Sequence, residues 1–366
     1  MLNHKDHFHG SDLEKIEEIY HIRKEDIVSY SANINPLGIS GNLKASLSEH
    51  LDAISTYPDR DYKNLKKCIS DYCGTLPQNV IVGNGSTELI SLVIANIHPK
   101  RAMILGPSYS EYEREITLGG GHTLYYPLRE ERDFLLDVKD LCDHLTDKLD
   151  MLVLCNPNNP TSTSITYPQM RSILDACLQH GIFVMVDETY VEFTDPADRI
   201  SSIKLTNYYT NLAVLRGTSK FFAAPGLRLG YAVTGNRDLV RQVSTRQNPW
   251  TISSLAEIAG CLMFRDEAYQ KETRDLITGE RARIYEEMSS WNSVKVYKPT
   301  ANFMLIKILR EDVDADMLFD HCIRKNMMIR NCSTFPFLNN KFFRFCFMNP
   351  ADNDRLLEAL RELLEK

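Results

Sequence analysis

A chain of 366 residues with 43% hydrophobic and 25% charged residues is long enough to bury a large core and to divide it between two domains. Its formal net charge of -7 and isoelectric point near 5.8 leave no basic face for a phosphodiester backbone, so nucleic acid is excluded as a partner while a few local arginines can still hold one small anion. No apolar run approaches the roughly 20 residues of a spanning helix, so no membrane association is expected.

The N-terminal MLNHKDHFHGSDLEK lacks the hydrophobic core of a signal peptide, and a cytoplasmic enzyme is the expectation. Nine cysteines from Cys68 to Cys346, none in a CxxC pair, read as reduced thiols and not as a disulfide framework or a zinc site, and no metal is expected.

The polar start and the amphipathic LEKIEEIYHI lead to SANINPLG, whose Asn-Pro and Leu-Gly pairs mark turns, so residues 1–34 read as an arm belonging with a smaller domain. From residue 78 to 235, short apolar runs alternate with helical patterns: NVIVGNGST, AMILGPSY, LDMLVLCNPNNPT, IFVMVDETY, NLAVLRGTSK and LRLGYAVTG. This rhythm predicts an α/β fold, a mostly parallel sheet sandwiched by helices, in a large domain over 35–252. Ligands of such sheets bind beyond the carboxyl ends of the strands, where every polar motif in these runs falls. After residue 250 a long helix, about Ser253 to Ser289, precedes the hairpin-like SVKVYKPTANFMLIKI, a helix, the strand KFFRFCFM and a terminal helix, which predicts a smaller α+β domain over 253–366.

The chemistry centres on LRGTSKFFAAPGLRLGY. Lys220 follows an apolar run and sits among Phe221, Phe222, Ala223 and Ala224, a setting that lowers an amine's pKa and frees it for a Schiff base. Gly83-Asn84-Gly85-Ser86-Thr87 joins a strand to a helix, where amides and hydroxyls suit a phosphate. Asp187 ends IFVMV as a carboxylate in need of a cationic partner, with Tyr190 three residues on. Tyr109 can stack on a flat ring, Asn159 is an amide held between prolines, and Arg344 lies among aromatics in a setting suited to a bidentate grip on a carboxylate. Each of these also has a plain structural reading: a helix cap, a loop, a salt bridge.

In combination, SANINPLG, YPD, GNGSTE, CNPNNPT, VDETY, SK with GLRLGY, ANF and FFRF resemble, in order, the class I/II aminotransferases of fold type I from about residue 29 to the end. The resemblance implies pyridoxal 5'-phosphate bound through Lys220, with Asp187 on the pyridine nitrogen, Asn159 and Tyr190 on the ring hydroxyl, and Tyr109 stacked on the ring. Gly85, Ser86, Thr87, Ser219 and Arg228 would hold the phosphate, Arg344 the substrate carboxylate, and Tyr57 the cofactor of a neighbouring subunit in a homodimer. Two positions depart from the family: Ser162 stands where Gly usually follows the Thr, and Gly217 stands where Ser or Thr is frequent, which would either remove one phosphate contact or shift it to Thr218.

The chain is similar to the histidinol-phosphate aminotransferase and threonine-phosphate decarboxylase branches; HFHG, SANINPLG and IRNCSTF resemble the decarboxylase, and imply a small anionic amine gripped by His9, Asn33 and Arg330. His9-Gly10-Ser11-Asp12 replaces the doubled glycine of the decarboxylases. Transamination of a small phosphorylated or phosphonate amine is the expected reaction, with loss of carbon dioxide as the alternative. A non-catalytic cofactor sensor remains a distant reading, since there is no basic recognition helix.

Overall fold

The computed structural model describes residues 10–194, 196 and 199–365. Seven strands form the central sheet in the order Val80–Asn84, Leu229–Thr234, Leu212–Gly217, Phe183–Asp187, Met151–Cys155, Arg101–Gly106, His122–Pro127. All neighbours are parallel except those of Leu229–Thr234, which runs antiparallel to both. The three central strands are buried along their whole length, because helices cover both faces, and so they read as unbroken apolar runs instead of alternating ones. Separate hydrophobic clusters fill the two sides of the sheet, one around Val184 and Val186, the other around Met185 and Leu215.

A second sheet of four antiparallel strands, ordered Arg330–Asn331, Phe342–Cys346, Phe303–Ile308, Val294–Val296, carries the C-terminal part. The early strand Val28–Ser29 pairs in parallel with Met327–Met328, so the segment that leads into SANINPLG is tied to this part of the chain.

The helix expected from Ser253 to Ser289 is two helices, Ser254–Met263 and Glu267–Ser289. The chain turns at Phe264–Asp266, where Asp266 caps the second helix by accepting from the Tyr269 amide at 3.1 Å. A side-chain acceptor at that point competes with helix continuation and starts a new axis. The cap signal is hidden in the charged run Arg265-Asp266-Glu267.

Candidate active site

A cavity of about 380 Å³ opens where the carboxyl ends of the parallel strands meet the C-terminal sheet. Lys220 lies half-buried at its base, with Nζ donating to the Ala32 carbonyl at 2.6 Å. Burial first, and then the positive charges of Arg344 and Arg228, pull its pKa from 10.5 down to about 8. The local fold explains the placement: the strand Leu212–Gly217 delivers the chain to the cavity, and Phe221 and Phe222 are buried behind the lysine.

Asp187 faces the cavity from the end of the neighbouring strand. Its Oδ1 accepts from the Thr189 amide at 2.9 Å and the Thr189 hydroxyl at 2.5 Å, and its Oδ2 accepts from the Tyr112 hydroxyl at 2.7 Å. Burial pushes its pKa up against those bonds. Among the described residues no cation pairs with this carboxylate, so the cavity presents an anion with hydrogen-bond donors but no counter-charge. Tyr190 is buried alongside, accepting from Asn33 Nδ2 at 3.3 Å.

The helix Gly85–Ile97 aims its first turn at the same cavity, bringing Ser86 and Thr87 to the lining. Gly85 has φ +79, and a Cβ there would collide with the Arg228 guanidinium, so glycine is what lets that arginine lie against the helix start. Gly230 is likewise required, since a Cβ would approach the Ser86 amide nitrogen to 2.6 Å. Ser219 and Arg228 complete this polar corner of the cavity, and Arg228 donates from Nη1 to the Pro225 carbonyl at 3.0 Å. Tyr109 lines the cavity and meets Tyr112 edge-on at 5.6 Å.

The C-terminal sheet supplies two arginines. Arg330 and Arg344 are directly paired across antiparallel strands and both line the cavity. Arg344 is buried, donates to the Ser31 carbonyl at 2.8 Å and to Asn159 Oδ1, and lies over the Phe303 ring at 5.1 Å. Arg330 donates to Thr334 Oγ1 at 3.2 Å and lies over Phe335 at 5.5 Å. Burial and the nearby Arg344 lower its pKa to about 10, while Asp12 acts in the opposite direction. It remains a full cation at neutral pH.

A family model described as "Aminotransferase class I and II" matches residues 25–360. The chain belongs to this aminotransferase family. It is 33% identical over 356 residues to "Threonine-phosphate decarboxylase" of Salmonella typhimurium, covering 97% of this chain and 96% of that protein. It is also 33% identical over 346 residues to "Histidinol-phosphate aminotransferase" of Desulfitobacterium hafniense strain Y51, covering 93% and 92%. The crystal structure of the histidinol-phosphate aminotransferase from Clostridium acetobutylicum superposes with a TM-score of 0.86 at 31% identity, over 92% of this chain and 98% of that one.

The two departures from the aminotransferase pattern have structural readings. Ser162 keeps the left-handed backbone of a glycine, φ +59, and adds a hydroxyl that accepts from the amides of Thr300 and Ala301 at 3.1 and 2.9 Å. It thereby ties the NPNNPT loop to the segment that begins the C-terminal sheet. Gly217 lines the cavity, and a Cβ there would meet Ser86 at an ordinary 3.6 Å. Thr218 does not take over the missing contact, which corrects that expectation: it is fully buried and its hydroxyl donates to the Leu229 carbonyl at 3.1 Å, away from the cavity.

Of the other residues singled out in the sequence, Asn33 and Asn159 line the cavity, whereas Tyr57 lies outside it, 80% exposed and packed on Trp250 at 4.7 Å. His9 lies outside the described residues. Sequence reading missed Tyr112, Thr189 and Cys155, all of which line the cavity. Thr189 was within reach, since a hydroxyl two residues after a buried Asp is a ready local donor. Tyr112 comes from a helix 75 residues away in sequence and carries no local signal.

Proposed function

We propose that this chain is a pyridoxal 5'-phosphate enzyme acting as an aminotransferase on a small amine or amino acid that bears a phosphate or phosphonate. The observation that carries the reading is the cross-strand pair Arg330 and Arg344 opening on the same cavity as Lys220 and Asp187. Two guanidiniums, Arg344 buried and Arg330 half-buried, favour a substrate with at least two negative charges, each charge-assisted hydrogen bond being worth roughly 1.5–3 kcal/mol.

The residues present fit the cofactor. Among the described residues Asp187 has no counter-charge and one unfilled acceptor position, which suits a protonated ring nitrogen; Ser86, Thr87, Ser219 and Arg228 around a helix start suit a phosphate; Tyr109 offers a ring face. When bound, pyridoxal phosphate supplies an electron sink for the bond that breaks at the substrate's α-carbon. The chain's own residues do the rest. Asp187 would hold a proton at the ring nitrogen, Asn159 and Tyr190 would meet the ring hydroxyl, and Arg344 would orient a carboxylate when the substrate has one. Arg330, with Asn33 and His9, takes the distal anion. Lys220, with its amine half-neutral near pH 8, is the group that carries the cofactor and moves a proton at the α-carbon.

A second reading, loss of carbon dioxide from an amino-acid phosphate, is favoured by the 33% identity to the Salmonella typhimurium decarboxylase along nearly the whole chain. The two differ in which bond at the α-carbon stands perpendicular to the ring. O-phosphothreonine, histidinol phosphate and 2-aminoethylphosphonate, each mixed with the loaded enzyme while the cofactor spectrum and carbon dioxide are followed, separate them. Transamination converts the cofactor to its amine form without gas; decarboxylation releases gas and restores the starting spectrum. An absence of both, with no cofactor taken up, overturns the whole reading.

A further inference from the structure

The carboxylate of Asp187 is held by three neutral donors, and their count says something about what it is held for. A carboxylate offers about four acceptor positions. The amide and hydroxyl of Thr189 fill both positions on Oδ1, and the Tyr112 hydroxyl fills one on Oδ2. The remaining position is on the oxygen that Tyr112 holds, in a residue that faces the cavity.

We propose that Tyr112 is a positioning residue for the cofactor: its phenol fixes Oδ2 of Asp187 with one lone pair directed into the cavity, and stabilises the ionised carboxylate without neutralising it. A lysine or arginine in that place would cancel the charge that a ring N–H cation is to meet. A neutral donor preserves it. The geometry keeps Tyr112 in this role. Its ring is fully buried and edge-on to Tyr109 at 85°, and burial together with the Asp187 charge raises its own pKa, so it stays a donor.

Of the titratable groups around Asp187, Lys220 shares its cavity with a pKa lowered to about 8, and the others are held well above neutrality. From the adjacent strand, Cys155 is its direct register partner, with a thiol pushed by burial up to about 12. The register partner on the other side is the apolar Leu215. Tyr109 is raised by burial to about 12, and Tyr190 is raised further.

The proposal rests on the pyridoxal phosphate reading, and its test separates the two. Pyridoxal phosphate affinity of the cofactor-free protein is measured from pH 4 to 9 in a Lys220→Ala background, which removes the lysine's own titration near pH 8, for that parent, Tyr112→Phe and Asp187→Asn. Affinity in the parent falls on acidification as Asp187 takes up a proton. Tyr112→Phe retains the ring against Tyr109 but loses one donor to the carboxylate, so the midpoint of that fall moves up by about one pH unit, a tenfold change in proton affinity. Asp187→Asn shows no such fall. Difluorotyrosine at position 112, a stronger donor of the same shape, moves the midpoint down and keeps the test open if Tyr112→Phe does not fold. A midpoint that stays fixed in both variants, with affinity lowered evenly at every pH, overturns the proposal and leaves Tyr112 as packing. No binding at any pH by the parent or by the wild type measured alongside it overturns the cofactor reading instead.

Discussion

Lys220 combines a desolvated, half-buried position with two neighbouring arginine charges, and its reactivity toward an aldehyde should follow its lowered pKa. Because only the neutral amine attacks, covalent capture of pyridoxal phosphate by the cofactor-free protein is expected to rise through pH 8 and level off by about pH 9, instead of rising toward the ordinary lysine value of 10.5. Borohydride trapping followed by peptide mapping across pH 6–10 checks this; an inflection near 10.5, or label on another lysine, contradicts it. Gly217 invites an opposite kind of change. Its site has room for a side chain beside Ser86, so Gly217→Ser is expected to fold normally and to tighten cofactor binding about tenfold, the value of one modest charge-assisted hydrogen bond to the phosphate. Equilibrium dialysis of the two proteins measures it, and unchanged or weaker binding argues against a phosphate at this corner. Ser162 is tuned differently. Ser162→Gly relieves the left-handed serine but leaves the Thr300 and Ala301 amides without their acceptor, and a net loss of about 1 kcal/mol in thermal unfolding is expected.

At the scale of elements, the same strand ends that hold the site are stapled beneath it by buried charges. Arg216, on the strand that leads to Lys220, donates to Glu188 at 2.8 Å and lies 3.6 Å from Glu192, whose carboxyl oxygens accept no hydrogen bond among the described residues. Burial raises the Glu192 pKa from 4.5 to about 7, only partly offset by Arg216. A carboxyl whose folded pKa lies above its unfolded value binds more protons in the native state, so its cost is absent below pH 4.5, grows between 4.5 and 7, and is complete above 7. Glu192→Gln should therefore leave stability at pH 4.5 nearly unchanged and raise it at pH 8 by on the order of 1–3 kcal/mol, with Glu188 still pairing Arg216. Chemical denaturation at the two pH values reads the difference directly. The elements themselves were largely legible in the sequence. Buried parallel strands announce themselves as apolar runs ending in Asp187 or Asn156, and the helix start at the cavity as a glycine turn before a helix. What escaped was decided by neighbours distant in sequence. The Asp266 cap split one expected helix, the reversed direction of Leu229–Thr234 was not signalled by its composition, and Thr218 was claimed by the Leu229 carbonyl.

Across the whole molecule, Tyr57 is a family-implied cofactor contact that its own cavity does not receive. Its ring projects from the turn before the helix Lys63–Cys73 and stacks on Trp250, with Leu51 and Ile54 also exposed nearby in sequence. Large apolar side chains left in solvent at this density mark a surface meant for another protein. A homodimer in which Tyr57 reaches the partner's phosphate corner accounts for both observations, and the interface would be self-complementary about a two-fold axis. The expectation is specific enough for complementation. Lys220→Ala removes the covalent anchor from every site, and Tyr57→Ala should weaken cofactor affinity by roughly 10- to 100-fold, the loss of one hydrogen bond to a charged group. When the two variants are unfolded together and refolded, each mixed dimer contains one site with Lys220 from one chain and Tyr57 from the other. At a cofactor concentration that saturates only the wild type, activity should reappear in the mixture, up to one working site per mixed dimer. Sedimentation of the separate proteins as monomers, or a mixture no more active than the sum of its parts, would show that Tyr57 serves its own chain or none.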